Sequence, residues 1–174
     1  IAAREKGIEV VVLEQATPPL DKACGEGLMP AGLEALEALG IQSPPGQPFR
    51  GIRYVDNVDG DSPLVAEGVF PKGEGRGIRR VQLHPLLVRR AEELGAELRW
   101  GTRATGLDPL GLKTEQGLIE ADWVVGADGL HSAVRRWAGV SVTTPGPERF
   151  GVRQHFAAEP WSPWVEVHWG PQCE

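Results

Sequence analysis

Residues Trp123-Val124-Val125-Gly126-Ala127-Asp128-Gly129 lead through Leu130 and His131 to Ser132 and the basic pair Arg135-Arg136. The spacing predicts a buried strand over Trp123–Gly126, a turn bearing Asp128 and Gly129, and a helix entered at Ser132. In an open α/β sheet, ligands bind just beyond the carboxyl ends of the strands. A carboxylate there accepts ligand hydroxyls, and a residue without a side chain lets a phosphate-bearing molecule approach the backbone. An ordinary strand–turn–helix junction draws on the same residues, because Ala-Asp-Gly is a turn former and Ser an N-cap.

The elements that must position this turn are legible in outline. Ile1–Lys6 reads as a helix tail stopped by Gly7. Ile8–Leu13 is a β-branched run of the kind found in a parallel strand buried on both faces, and Glu14 ends it. In a dinucleotide fold an acidic residue at this point bonds the adenosine ribose; elsewhere it is a solvated strand end. Pro30–Leu39 is a short helix with Leu33, Leu36 and Leu39 as its stripe and Gly40 as its stop, followed by a rigid linker over 43–48. Strands are expected at Phe49–Asn57 and Pro63–Val69, joined through Asp59-Gly60-Asp61, and at Gly77–Val81. A helix over Leu83–Leu94 is closed by Gly95. Strands at 97–100 and 102–107 and a hairpin of 112–114 against 118–121 lead back to Trp123. Phe150–Phe156 and Trp164–Trp169 read as strands of a second sheet, in which the late tryptophans serve as core or as an aromatic wall.

Composition narrows the function. The 174 residues carry 41% hydrophobic and 24% charged side chains, ordinary for a globular unit with one sizeable core. A net charge of -6 argues against general nucleic-acid binding, and no apolar run has the length of a membrane span. The two cysteines, Cys24 and Cys173, give no disulfide framework and no zinc spacing, which fits a reducing, cytoplasmic setting. The four histidines are dispersed, so no metal site is expected. Residue His131 is expected at the surface before the helix.

Run 124–136 resembles the second fingerprint of flavin-dependent aromatic hydroxylases and their relatives. Val10-Val11-Val12-Leu13-Glu14-Gln15 is similar to the second strand of their FAD-binding fold. The loop Lys22-Ala23-Cys24-Gly25-Glu26-Gly27-Leu28-Met29-Pro30 resembles one near the flavin in the branch that includes prenyl-chain reductases. The three motifs stand in the family's order. The resemblance implies an α/β fold: an incomplete FAD-binding, Rossmann-like domain of glutathione-reductase type over 1–148, with part of an antiparallel substrate sheet. That sheet takes in the 49–70 hairpin, and the substrate-binding part begins at 149–174.

It further implies FAD as cofactor, held by Glu14, Arg80, Asp128 and Gly129, with Gln15, Cys24, Gly25, Gln82 and Ala104 as further candidates. Within the pair Arg79-Arg80 the assignment is open. The implied activity is monooxygenation of a small organic substrate with NAD(P)H and O2. The alternatives are flavin-dependent reduction of a prenyl chain, or a non-catalytic piece that does not retain FAD. No catalytic residue is named, because the flavin carries the difficult chemistry. No Gly-x-Gly-x-x-Gly precedes the first helix and no later Gly-Asp motif follows, so the chain reads as an internal piece of a longer flavoprotein. Substrate identity and oligomeric state have no signature here.

Overall fold

The structure is a computed structural model that describes residues 1–42, 44–56, 63–140 and 150–170. In chain order the elements are α1 (Ala2–Glu5), β1 (Val11–Glu14), β2 (Gly27–Leu28), α2 (Pro30–Ala38), β3 (Gln47–Phe49), β4 (Gly51–Asp56), β5 (Leu64–Val69) and β6 (Gly75–Gly77). They continue with α3 (Arg80–Glu93), β7 (Glu97–Trp100), β8 (Ala104–Asp108), β9 (Gly111–Thr114), β10 (Gly117–Glu120), α4 (Ala133–Trp137) and β11 (Trp164–Trp169). Contacts divide the described chain into two units, one of residues 3–20 and 94–152, the other of 1–2, 21–93 and 153 onward.

In the first unit, β1 and β7 pair in parallel, with Val11 opposite Glu97 and Glu14 opposite Trp100. Gly7, at φ 76°, ends α1, and Arg4 ties that helix down by donating from Nε to the Leu94 carbonyl at 2.8 Å. The meander β8–β9–β10 follows, its first turn set by Asp108, whose Oδ1 accepts the Leu110 N–H at 3.1 Å. Helix α4 packs against β8.

The start of α4 is built by two side chains. Ser132 caps it by accepting the Arg135 N–H at 3.0 Å. Asp128 accepts from the Ser132 hydroxyl through Oδ1, and from the Ala133 and Val134 amides at 2.6 and 3.1 Å through Oδ2. The hydrogen bonds from Ser132 and Val134, with a smaller one from Ala133, outweigh desolvation and lower the Asp128 carboxyl from 3.8 to about 2. The two arginines of α4 fold back on the same turn: Arg135 donates to the Leu130 carbonyl and Arg136 to that of His131, both at 2.7 Å.

In the second unit, β4 is the centre of a three-stranded sheet, antiparallel to β5 and parallel to β11. Arg53 on β4 lies opposite Glu67 on β5 and Glu166 on β11, and bonds both carboxylates, at 2.8 and 2.9 Å. Beneath them Trp164 is buried, with the Arg50 guanidinium 4.3 Å from its ring centroid. A smaller sheet, β2–β6–β3, packs Phe49 against Phe70 at 5.7 Å between centroids. Gly75 lies against the Phe49 ring, where a side chain has no room. Helix α2 ends in a Schellman turn, Gly40 at φ 79° and the Ile41 N–H bonded to the Leu36 carbonyl. Arg90 of α3 donates from Nε to the Leu39 carbonyl at 2.8 Å, a cation at the carboxyl end of α2.

Several expected elements differ. The first strand begins at Val11, not Ile8, and Val11 and Val12 are exposed instead of buried on both faces. Trp123–Gly126 forms no strand, and Trp123 and Val125 are 88% and 86% exposed. An apolar run becomes a regular strand only beside a partner ladder, and none of the described strands pairs with it. Phe150–Phe156 is likewise irregular, with Phe150, Val152 and Phe156 exposed. The strand expected at Gly77–Val81 is Gly75–Gly77, because α3 begins three residues earlier than its apolar stripe. The end of the expected linker, Gln47 and Pro48, is part of β3. Among the late tryptophans only Trp164 is core; Trp161 and Trp169 are exposed. Ser43, the turn Asp59-Gly60-Asp61 and Cys173 lie outside the described residues.

Two predictions follow from the 126–134 turn. The Asp128 charge stabilises α4 fully above pH about 4, and the contribution is lost as pH falls through about 2. Amide exchange at Ala133 and Val134 is expected to speed up across that window, and Asp128→Asn to speed it at neutral pH, for a cost of about 1 kcal/mol at this exposed site. A Cβ on Gly126 would stand 2.9 Å from Val134 Cβ, so Gly126→Val is expected to cost about 1–3 kcal/mol in thermal or denaturant unfolding.

Candidate functional site

Glu14 closes β1 at the carboxyl end of the parallel pair, half-buried. Its Oε1 accepts the Ala16 N–H at 3.0 Å, and its carbonyl accepts the Thr102 N–H at 3.1 Å. These bonds tie the strand end to the turn at Ala16 and to Thr102. Gln15, next in the chain, is exposed. Ala104 opens β8 opposite Thr114, on the strand against which α4 packs, so the structure brings the Ala104 strand and the Asp128 turn together.

Asp128 serves the fold directly. A carboxylate has about four acceptor positions, and the start of α4 occupies at least three of them through Ser132, Ala133 and Val134, so most of its capacity is committed to the fold. Gly129 stands at φ 80°, which favours glycine, and a Cβ there would meet nothing within 4 Å. The turn itself thus sets no steric demand at Gly129; its tight contact is at Gly126, against Val134.

The remaining candidates belong to the unit that contains α3. Cys24 carries a free, exposed thiol, and Gly25 beside it is exposed. Arg80 is the first residue of α3 and Gln82 lies exposed in its first turn. The pair Arg79-Arg80 is asymmetric: Arg79 is exposed, whereas Arg80 is half-buried and its Nε is buried without a hydrogen-bond partner. An orphaned guanidinium donor of this kind suits an anionic or carbonyl oxygen of a ligand.

Sequence reasoning missed the group that organises this loop. Glu26 accepts the Arg80 backbone N–H at 2.9 Å and the Arg153 guanidinium at 2.9 Å on Oε1, and lies 2.5 Å from His155 Nε2 on Oε2. Its carbonyl accepts the Ile78 N–H at 2.8 Å. Burial opposes its charge, but the bonds from His155 and the Arg80 amide, with the Arg153 charge, hold the carboxyl below the usual glutamate value. Arg153 also reaches Asp21 at 2.7 Å, and that bond lowers the Asp21 carboxyl in turn. The available signal was the acidic residue enclosed in Gly25-Glu26-Gly27; nothing local pointed to Arg153 and His155, which stand in a run that reads as strand.

Chemically, one unit offers a strand-end carboxylate at Glu14 and exposed backbone at Gly129, and the other a guanidinium at Arg80 whose Nε is buried without a partner, with exposed backbone at Gly25. These groups fit FAD: ribose hydroxyls for Glu14, and a phosphate or flavin oxygen for Arg80. No three His, Cys, Asp or Glu side chains converge as metal ligands among the described residues. Nor is any helix of the described residues long and apolar enough to cross a membrane.

Comparison with known proteins identifies the family. A family model described as FAD binding domain matches residues 3–171. The ubiquinone hydroxylase UbiL of Rhodospirillum rubrum is 32% identical over 159 residues, which cover 83% of this chain and 37% of that protein. The digeranylgeranylglycerophospholipid reductase of Methanothrix thermoacetophila is 31% identical over 151 residues, 79% of this chain and 37% of the reductase. Among solved structures, the tetrameric form of 2-methyl-3-hydroxypyridine-5-carboxylic acid oxygenase superposes with a TM-score of 0.67 at 29% identity, covering 79% of this chain and 38% of the oxygenase. The chain thus spans well under half the length of each. With its mixed α/β architecture it belongs to the FAD-binding domain family, whose nucleotide-binding fold is Rossmann-like.

Proposed function

We propose that the chain is the FAD-holding part of an FAD-dependent monooxygenase that hydroxylates a small organic substrate, with NAD(P)H as reductant and O2 as co-substrate. The observation that carries this reading is Glu14, fixed at the carboxyl end of a parallel strand within a chain matched over 3–171 by the FAD-binding model. Glu14 takes the ribose hydroxyls, with Gln15 beside it, while Asp128, Gly129 and the backbone at Ala104 line the same unit's share of the cofactor. Arg80 supplies a charge-assisted donor, with Gln82, Cys24 and Gly25 near it. When bound, FAD supplies the electron-transfer and oxygen-activating chemistry; the protein binds, orients and excludes water.

The hydroxylase and oxygenase relatives favour this activity. A second reading, reduction of a prenyl chain, is favoured by the Cys24–Gly25 loop and by the reductase relative. Residues 1–148 are assigned to the FAD-binding part and 149–174 to the start of the substrate part. The pairing of β4, within the 49–70 hairpin, with β11 supports a shared substrate sheet. The charge of -6 makes nucleic acid an unsuitable partner, and the low cysteine count fits a cytoplasmic location.

Oxygen consumption coupled to hydroxylated product, measured against double-bond reduction under anaerobic conditions, separates the two readings. In the whole protein, Glu14→Ala is expected to weaken FAD by about tenfold or more, since charged hydrogen bonds contribute roughly 1.5–3 kcal/mol. Flavin retained at wild-type level after exhaustive dialysis would make Glu14 a solvated strand end. The 174-residue chain alone, with Val11, Val12, Trp123 and Val125 uncovered, is expected to bind FAD weakly or not at all. A sub-micromolar affinity in titration overturns that expectation.

A further inference from the structure

Glu26 sits at φ 53°, in the left-handed region, between two glycines that do not. The cheaper arrangement places a glycine where the backbone turns left-handed. Here the strained position holds a side chain with three links, to the Arg80 amide, the Arg153 guanidinium and the His155 ring, and its backbone carbonyl adds a fourth to Ile78. Strain that persists at a fully engaged residue points to a role for the group that bears it. Two of those links fall on residues flanking the start of α3, where the Arg80 Nε is left without a partner. The others come from residues 153 and 155, more than a hundred positions along the chain. Cys24 and Gly25 immediately precede Glu26, and the Lys22 carbonyl before them accepts from the same Arg153 at 3.4 Å.

We propose that Glu26 is the positioning residue of the flavin loop: acting through the Arg80 amide, Arg153 and His155, it fixes the Cys24–Gly25 backbone and aims the Arg80 guanidinium at the cofactor. The proposal rests on the FAD reading given above, and goes beyond it by assigning the loop's order to one carboxylate that itself need not touch the flavin. Glu26→Gly separates the two possible roles of this residue. It removes the carboxylate while relieving the left-handed backbone, so a position that matters only for chain geometry tolerates it.

The test uses the whole protein and two readouts: FAD affinity with the visible spectrum of the bound flavin, and the alkylation rate at Cys24 read by peptide mass spectrometry. Glu26→Gly is expected to weaken FAD by about tenfold, to shift the flavin spectrum and to raise the Cys24 rate severalfold. Glu26→Gln, which keeps an acceptor for the Arg80 amide but loses the charge, is expected to fall between it and the wild type. Wild-type spectrum and Cys24 rate in Glu26→Gly overturn the proposal. If Glu26→Gly does not fold, Arg153→Gln removes one clamp from outside the loop: a faster Cys24 rate with a shifted spectrum supports the proposal, and no change in either overturns it. If the wild-type protein takes up no FAD, the FAD reading falls. The Cys24 rates then decide alone, a faster rate in Glu26→Gly upholding the ordering role and an unchanged one ending it.

Discussion

An α-helix begins with amides that nothing inside the helix accepts, and at α3 the acceptor comes from residue 26, fifty-four positions upstream. This bond sets where the helix starts, and the start sets what the helix presents. From the apolar stripe alone the helix begins at Leu83, which leaves Pro85 in a first turn where its missing N–H costs nothing. Beginning at Arg80 instead puts Pro85 inside the helix, without an N–H for the Val81 carbonyl. The Glu26 carboxylate offsets that loss at the amino end. The resulting helix carries Arg80 at its head and, near its tail, Arg90 against the last carbonyls of α2.

The sheets follow a different constraint. In the β11–β4–β5 sheet, the strand registers put Arg53 between two glutamates, and buried Trp164 lies under two arginines. The Arg53 guanidinium thus bonds a carboxylate on each neighbouring strand and ties the three strands together. The β1–β7 pair is otherwise. Its apolar Val11 and Val12 are half in solvent, and the apolar run at Trp123–Val125 stays irregular, paired with none of the described strands. Both runs carry the composition of strands covered on two sides, in a chain that spans 37–38% of the lengths of the relatives compared.

What was legible in the sequence was whatever is encoded locally. Gly7, Gly40 and Gly95 end helices at positive φ as expected. Ser132 caps α4, the 112–121 hairpin forms, and Trp164–Trp169 joins the sheet of the 49–70 segment. What failed depended on partners far along the chain. The early start of α3 needs Glu26, and regular pairing at Trp123 or Phe150 needs neighbouring strands that pattern alone does not guarantee. Among the candidate residues, the position of Glu14 at the end of β1 and of Asp128 in the turn before α4 was readable from motif and spacing. The Glu26–Arg153–His155 cluster was not, because Glu26 stands more than a hundred residues from both partners and neither Arg153 nor His155 has a motif signature of its own.

The two acidic residues at helix starts bear directly on how this chain meets a dinucleotide. In nucleotide-binding folds, free amides at a helix amino end are offered to phosphate. Here the first amide of α3 is bonded to Glu26, and those of α4 to Asp128 and Ser132. An anion brought to either helix end meets a carboxylate already in place, so neither α3 nor α4 is a phosphate cradle. The Asp128 turn suits a neutral donor such as a hydroxyl, and Glu14 suits the same chemistry at the end of β1. Negative oxygens are left to side-chain cations, and the Arg80 Nε, buried and unpaired, is the donor at these helix starts that stands ready for one. Under the proposed FAD reading, sugar recognition would fall to carboxylates and anion recognition to a guanidinium, because the carboxylates at the starts of α3 and α4 already hold the amides that would otherwise meet a phosphate.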